Sequence, residues 1–141
     1  MLQKETIGLE EAQKAITAIL REQSEEPEKR AISIAVVDDN GDLIAFARMD
    51  QGRPMTIDIA LKKAYTSVRT RSNSGAFAER MKQAGRTAAE MGDPKMIGSQ
   101  GGVCIFKPGT QACVGGIGVS GLASHEDEAL AEKGVQAMGL K

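Results

Sequence analysis

Apolar residues near the start of the chain recur with a helical beat. Leu9, Ala12, Ala15, Ile16, Ile19 and Leu20 fall three or four positions apart, with Glu, Lys and Gln between them. That spacing predicts an amphipathic helix over residues 9–23. Residues 24–30 are polar apart from Pro27 and read as a loop. The pattern then changes to that of a strand. Residues 31–37 are apolar and rich in β-branched side chains, with Ser33 the one polar position, as in a strand buried on both faces. Asp38-Asp39-Asn40-Gly41 follows, and Asn-Gly is a strong hairpin signal because both residues tolerate positive φ. The partner strand covers residues 42–49, with Leu43, Ala45, Ala47 and Met49 on one face and Ile44, Phe46 and Arg48 on the other.

Asp50-Gln51-Gly52-Arg53-Pro54 reads as a loop, and Ile57, Ala60, Leu61, Ala64 and Val68 mark a second helix over residues 56–70. Ser72-Asn73-Ser74-Gly75 breaks it, and Phe77, Met81 and Ala84 predict a short third helix. The stretch 85–102 carries little pattern beyond a helical turn at residues 87–91. Residues 103–106 and 112–119 read as a second hairpin around Pro108-Gly109, and a last helix covers residues 125–138. Ser124 is placed to cap that helix, with Asp127 as a capping-box-like partner. The order helix, hairpin, two or three helices, hairpin, helix predicts one α+β domain over residues 1–141, with four strands in an antiparallel sheet.

Composition adds four constraints. The 141 residues suit a single domain that needs no disulfide staple. The formal net charge is −1, with basic and acidic residues interspersed, so a nucleic-acid footprint is missing. The apolar runs are too short for a membrane span, and the first residues are polar where a signal peptide is apolar, so the expected location is cytoplasmic. There are 16 glycines, three Phe, one Tyr and no Trp, so the core is built from small and aliphatic side chains that let backbones approach closely.

Several residues are candidates for chemistry, each beside a plainer reading. His125 is the single histidine, which excludes a multi-histidine metal site within one chain. It is a candidate metal or haem-iron ligand, or else a surface histidine. A tight turn at Pro108-Gly109 sets Cys104 opposite Cys113, and a slip of one step separates them; in the cytosol they read as reduced thiols. In Gly115-Gly116-Ile117-Gly118-Val119-Ser120-Gly121 the backbone amides are suited to hold an anion, or the glycines let a helix lie against the sheet. Of Lys62 and Lys63, one faces less solvent, and a desolvated lysine can act as a nucleophile or base. Asp127 and Glu128 read as carboxylate ligands or as helix-end charges. Met49 and Met55 flank the Asp50 loop as thioether donors or core filler.

Taken together, these segments resemble the GlcG/HbpS family. The resemblance rests on Ile34-Ala35-Val36-Val37-Asp38, Asn40-Gly41-Asp42-Leu43 and Ala45-Phe46-Ala47-Arg48-Met49-Asp50. It continues through Ile59-Ala60-Leu61-Lys62-Lys63-Ala64-Tyr65-Thr66 and Gly101-Gly102-Val103-Cys104-Ile105. It ends with the glycine-rich strand, Asp127-Glu128 and Gly134. It spans nearly the whole chain, in order, and implies a profilin-like, five-stranded antiparallel sheet with helices on both faces. It also implies homo-oligomers and haem binding, sometimes with haem degradation. Haem-binding relatives can use a histidine in the first helix, where this chain has Gln13, Lys14 and Thr17. A Glu-x-x-Glu spacing, Glu25 to Glu28, resembles an iron-binding motif of such relatives and also reads as a solvated acidic loop.

The expected function is therefore a homo-oligomeric binder of a small molecule, with haem or a related tetrapyrrole as the candidate cofactor. The expected pocket lies where the Asp50 loop, the second helix and the Gly101-Gly102 turn converge. Its residues are Met49, Asp50, Lys63, Gly101, Gly102, Gly118, Ser120 and Gly121, with His125 as the metal candidate. One alternative is an enzyme on small hydroxy or keto acids, with Lys63 or Asp50 as the acid–base group and the amides of residues 118–121 holding a carboxylate. The other is an assembly subunit without a ligand.

Overall fold

Ser33, Ile34, Ala35, Val36 and Val37 form β1 (Ser33–Val37), and all five are buried because the strand has a core on each side. Ile34 and Val36 point to one core, where Ile19 of α1 (Leu9–Ser24) and Leu130 of α4 (Ser124–Ala137) meet them. Ala35 and Val37 point to the other, against Ala60, Ala64 and Val68 of α2 (Met55–Thr70). This computed structural model describes all residues, 1–141. The remaining elements are β2 (Leu43–Arg48), α3 (Ser74–Gln83), a single 3-10 turn (Ala88–Met91), β3 (Gly102–Phe106) and β4 (Cys113–Ser120). The sheet order is β2-β1-β4-β3, antiparallel throughout, with helices on both faces. Fully buried aliphatic side chains such as Ile19, Ile34 and Ile117 each contribute about 1.5–3 kcal/mol relative to exposure.

The α+β class and the antiparallel sheet hold, but the sheet has four strands and not the five that the family resemblance implied. The stretch between the 3-10 turn and β3 forms no ladder. Pro94 lacks an N–H, Met96 N–H donates back to Asp93 O at 3.1 Å, and Ile97 N–H goes to the Thr66 hydroxyl at 2.9 Å. That segment is pinned to α2 instead of to a strand.

Two local expectations are corrected by bulges. The first hairpin does not turn on a two-residue Asn-Gly loop: Gly41 alone has positive φ, at +93°, and Asp38 N–H bonds Asp42 O at 2.9 Å. The register slips between Val36 and Val37, so Leu43 pairs with Val37 on the α2 side while Ala45 pairs with Val36 on the other. Leu43 and Ala45 therefore face opposite ways. In the second hairpin a slip between Ile105 and Phe106 places Cys104 opposite Gly116 and Phe106 opposite Cys113. The cysteines are diagonal neighbours on one face, not a directly opposed pair, with Sγ atoms 3.2 Å apart.

The glycine-rich strand is a packing surface. A Cβ on Gly118 would lie 2.1 Å from Ala60 O, and one on Gly102 2.1 Å from Lys63 O. Helix α2 thus rests backbone against backbone on β4 and β3.

Candidate functional site

The carboxyl end of β4, the start of β3, the loop after β2 and the N-terminus of α4 gather at one end of the sheet. Val119 N–H donates to Gly101 O at 3.1 Å and joins the first two. Met49 N–H donates to Ile32 O at 2.9 Å, holding the β2 exit beside the entry to β1. Ser120 is buried and pairs with Ser33, whose hydroxyl is 2.8 Å from that of Thr56 at the start of α2.

Lys63 lies at the centre of this end. It projects from the buried face of α2, 3% exposed, and its Nζ donates to Asp127 Oδ2 and to Val119 O, each at 3.0 Å. Asp127, 1% exposed, also accepts the Leu122 N–H through Oδ1 at 3.0 Å. Burial pushes its carboxyl above the ordinary range, against the pull of Lys63 and of the Leu122 N–H. Gly101 has φ +134°, and a Cβ there would lie 2.8 Å from Val119 O and 2.7 Å from Lys63 Nζ, so its backbone conformation and the fit against β4 both call for glycine. Asp127 is thus more than a helix-end charge. Ser124 does not cap α4; Ala123 is the N-cap, Ser124 begins the helix, and its hydroxyl donates to Gln100 Oε1 at 3.3 Å.

The structure brings Lys63, Gly101, Gly102, Gly118 and Ser120 together as a closed, buried framework, with Gly121 at its rim. β4 is flanked by ladders on both sides, so its amides are engaged in the sheet. Asp50 and His125 are exposed, and Met49 is half-buried against the α1–α4 core. None of these residues lines a cleft of the single chain. Gln13, Lys14 and Thr17 are exposed on α1, and no cluster of three metal-ligating side chains forms.

Sequence reasoning did not anticipate two other polar assemblies. Arg30 bridges Glu26 and Glu126, reaching Glu126 Oε2 at 2.9 Å, beside a polar cleft of about 450 Å³ between α1 and α4. The Arg30 guanidinium holds both carboxyls below their usual range. On the other face, a groove of about 300 Å³ runs between α2 and the edge strand β2, lined by Val37, Leu43, Leu61 and Tyr65 with Lys62 and Lys95. The Tyr65 hydroxyl donates to Asp93, and the ring lies 5.5 Å from both Arg69 and Lys95. That bond raises the Tyr65 phenol and lowers the Asp93 carboxyl. Each assembly has one local pair at i,i+4 spacing, Glu26–Arg30 and Tyr65–Arg69, but Glu126 and Asp93 join from distant segments that no local pattern links to them.

Comparison with known proteins gives a consistent result. A family described as haem degrading protein HbpS-like matches residues 7–136. Protein GlcG of Escherichia coli K12 is 35% identical over 111 residues, covering 77% of this chain and 80% of GlcG. The crystal structure of a double mutant of Streptomyces reticuli HbpS superposes with a TM-score of 0.86 at 31% identity, covering 99% of this chain and 91% of that one. A PduOC–heme complex superposes with a TM-score of 0.81 at 20% identity, covering 96% of this chain and 97% of that one, a likeness of fold.

Proposed function

The chain belongs to the HbpS-like family, and from that premise we propose that it is an oligomeric small-ligand-binding protein whose ligand is haem or a related tetrapyrrole. The observation that carries this reading is the family match over residues 7–136, which spans every helix and strand almost to the end of α4. The geometry of the sheet end supports binding over turnover. Lys63 and Asp127, the ionisable groups buried there, neutralise one another inside the protein, and no free nucleophile–base pair accompanies them. In this reading the buried pair and the glycines are scaffold. The ligand contacts come from the outer residues of the same end, Met49, Asp50 and His125, with a second subunit closing the pocket that one chain leaves open. His125, exposed in the first turn of α4, is the nitrogen donor for iron.

The test is a titration of the purified protein with hemin under defined reductant, followed by its Soret band, with His125→Ala alongside. A saturable, near-stoichiometric shift in the parent protein that weakens in the variant supports the reading. A shift no larger than that of a non-specific control protein removes haem. An unchanged shift in the variant removes His125 as the ligand.

A further inference from the structure

The second hairpin carries two thiols that the proposed ligand site does not use. We propose that Cys104 and Cys113 form a reversible dithiol–disulfide couple oxidised by a hydroperoxide, with Cys113 attacking and Cys104 resolving. Their Sγ atoms lie 3.2 Å apart across β3 and β4, with the Cys104 thiol donating to Cys113. The residue opposite Cys104 is Gly116, which has no side chain to come between the two sulfurs. The hairpin bulge brings Cys113 diagonally over that gap.

The environments of the two sulfurs differ in the way their roles require. Cys104 is buried, and its amide is tied to Asn73 Oδ1 at 3.1 Å. Cys113 is half-exposed on the wall of an open cleft of about 490 Å³, which it shares with Lys4, Arg71 and Lys107 and with the carboxylates Glu5 and Asp39. Lys107 pairs with Glu5, and Lys4 lies 4.0 Å from Asp39. Arg71 donates to the backbone oxygens of Asp39 and Val68 and forms no ion pair with a carboxylate, so its charge is turned to the Cys113 sulfur. The hydrogen bond from Cys104, helped by the Gly115 backbone and the Arg71 charge, lowers the Cys113 thiol to about 6 against the effect of burial. Donating that bond, together with burial, pushes Cys104 upward. Cys113, which also donates to Gly115 O at 3.6 Å, is therefore the more acidic and more accessible sulfur, and Cys104 the buried thiol behind it.

The chemistry balances with the hydroperoxide as sole oxidant. The Cys113 thiolate attacks one peroxide oxygen, the O–O bond breaks, and the leaving oxyanion takes a proton to become water or an alcohol. Cys113 is left as a sulfenic acid. Cys104 then attacks the Cys113 sulfur, the S–O bond breaks, and the departing hydroxide takes the Cys104 proton as water. Two thiols are oxidised to one disulfide and one peroxide is reduced. A small thiol in excess reverses the change through a mixed disulfide.

The test treats the reduced full-length protein with stoichiometric hydrogen peroxide at about pH 7, blocks residual thiols by alkylation, and reads the intact mass and non-reducing peptide map. The expected result is loss of two hydrogens per chain, a Cys104–Cys113 cross-link, and full recovery with glutathione. Cys104→Ser is expected to hold a dimedone-reactive sulfenic acid on Cys113, and Cys113→Ser to oxidise roughly tenfold more slowly or less. Thiols that remain fully alkylatable overturn the proposal. So do oxygen adducts without a cross-link, or disulfides joining separate chains. The parent protein alone decides the matter if either variant fails to fold, and the result is independent of hemin binding.

Discussion

Lys63 and Asp127, separated by 64 positions in the chain, form one ion pair of 3.0 Å that is almost wholly withdrawn from water. The pair joins α2 on one face of the sheet to α4 on the other. Val119 O and the Leu122 N–H take up further bonding capacity of the two groups. Removing two charges from water costs several kcal/mol per ion, and the mutual attraction offsets it only when both partners are present.

Lys63→Met is accordingly expected to destabilise the protein by about 3–5 kcal/mol at neutral pH, because Asp127 is left buried without its cation. Adding Asp127→Leu should recover much of that loss. Urea unfolding of the single and double variants checks this, and a double variant worse than the single one contradicts it.

The Lys63→Met deficit should also depend on pH. Burial already raises the Asp127 carboxyl, and loss of Lys63 raises it further. A carboxyl raised in the folded state binds its proton more tightly there than in the unfolded chain. Its penalty is therefore present above the folded value and relieved as pH falls through it. The stability gap between parent and variant should narrow from about pH 7 to about pH 5; a gap that widens on acidification opposes this account.

The Arg30 bridge behaves in the opposite sense. Arg30 lowers both Glu26 and Glu126, so its contribution is present above the ordinary carboxylate range and fades as pH falls toward the lowered values. Arg30→Ala should lower Tm slightly at neutral pH and low salt. The difference should disappear in about 1 M salt, where the screening length is about 3 Å. A salt-independent loss assigns the effect to packing.

Gly118→Ala places a methyl group against the Ala60 carbonyl, at 2.1 Å before any relaxation. The expected cost is at or above the upper end of the roughly 1–3 kcal/mol seen for overpacking. Gly98→Ala, whose nearest neighbour would be Ala88 Cβ at 3.9 Å, is the matched control and should stay within about 0.5 kcal/mol. Equal effects in thermal unfolding contradict the close α2–β4 contact.

Cys113 should be alkylated by iodoacetamide with a midpoint near its lowered value of about 6. At about pH 6 its thiolate fraction exceeds that of an ordinary thiol near 8.5 by about 150-fold. The weaker nucleophilicity of a more acidic thiol takes back roughly 10- to 18-fold, leaving about a tenfold faster reaction. Cys104 should lag far behind. A rate that rises only above about pH 8 contradicts the assignment.

The strands and helices were legible where side-chain pattern controls them. The apolar run at residues 31–37 announces a strand with a core on each face, and β1 is such a strand. What escaped is what pattern does not encode. The two bulges change register without any distinctive residue, so the facing of Leu43 and the partner of Cys104 came out differently. The contact between the two cysteines was left open by the sequence, which offered a facing pair or a separated one; the bulge makes them diagonal neighbours that still touch. Lys63 stood out only as the less solvated of two lysines, and its bond to Asp127 depends on how distant elements meet. Leu9, grouped with the apolar face of α1, is 55% exposed, and Ile7 of the preceding segment is buried in the core instead.

The contact of α2 with β4 has a mechanical consequence. Where side chains separate a helix from a sheet, the helix can shift by exchanging rotamers. At Gly118 and Gly102 backbone meets backbone, and no rotamer is available to absorb a displacement. Helix α2 and the two strands beneath it therefore move as a single slab. The opposite layer, where α1 and α4 meet the sheet through Ile19, Leu130 and Ile117, has interlocking aliphatic chains that can re-seat. A shape change of this domain is therefore expected in α1 and α4, over the plate of α2 and its strands, with the Lys63–Asp127 bond limiting the travel of α4.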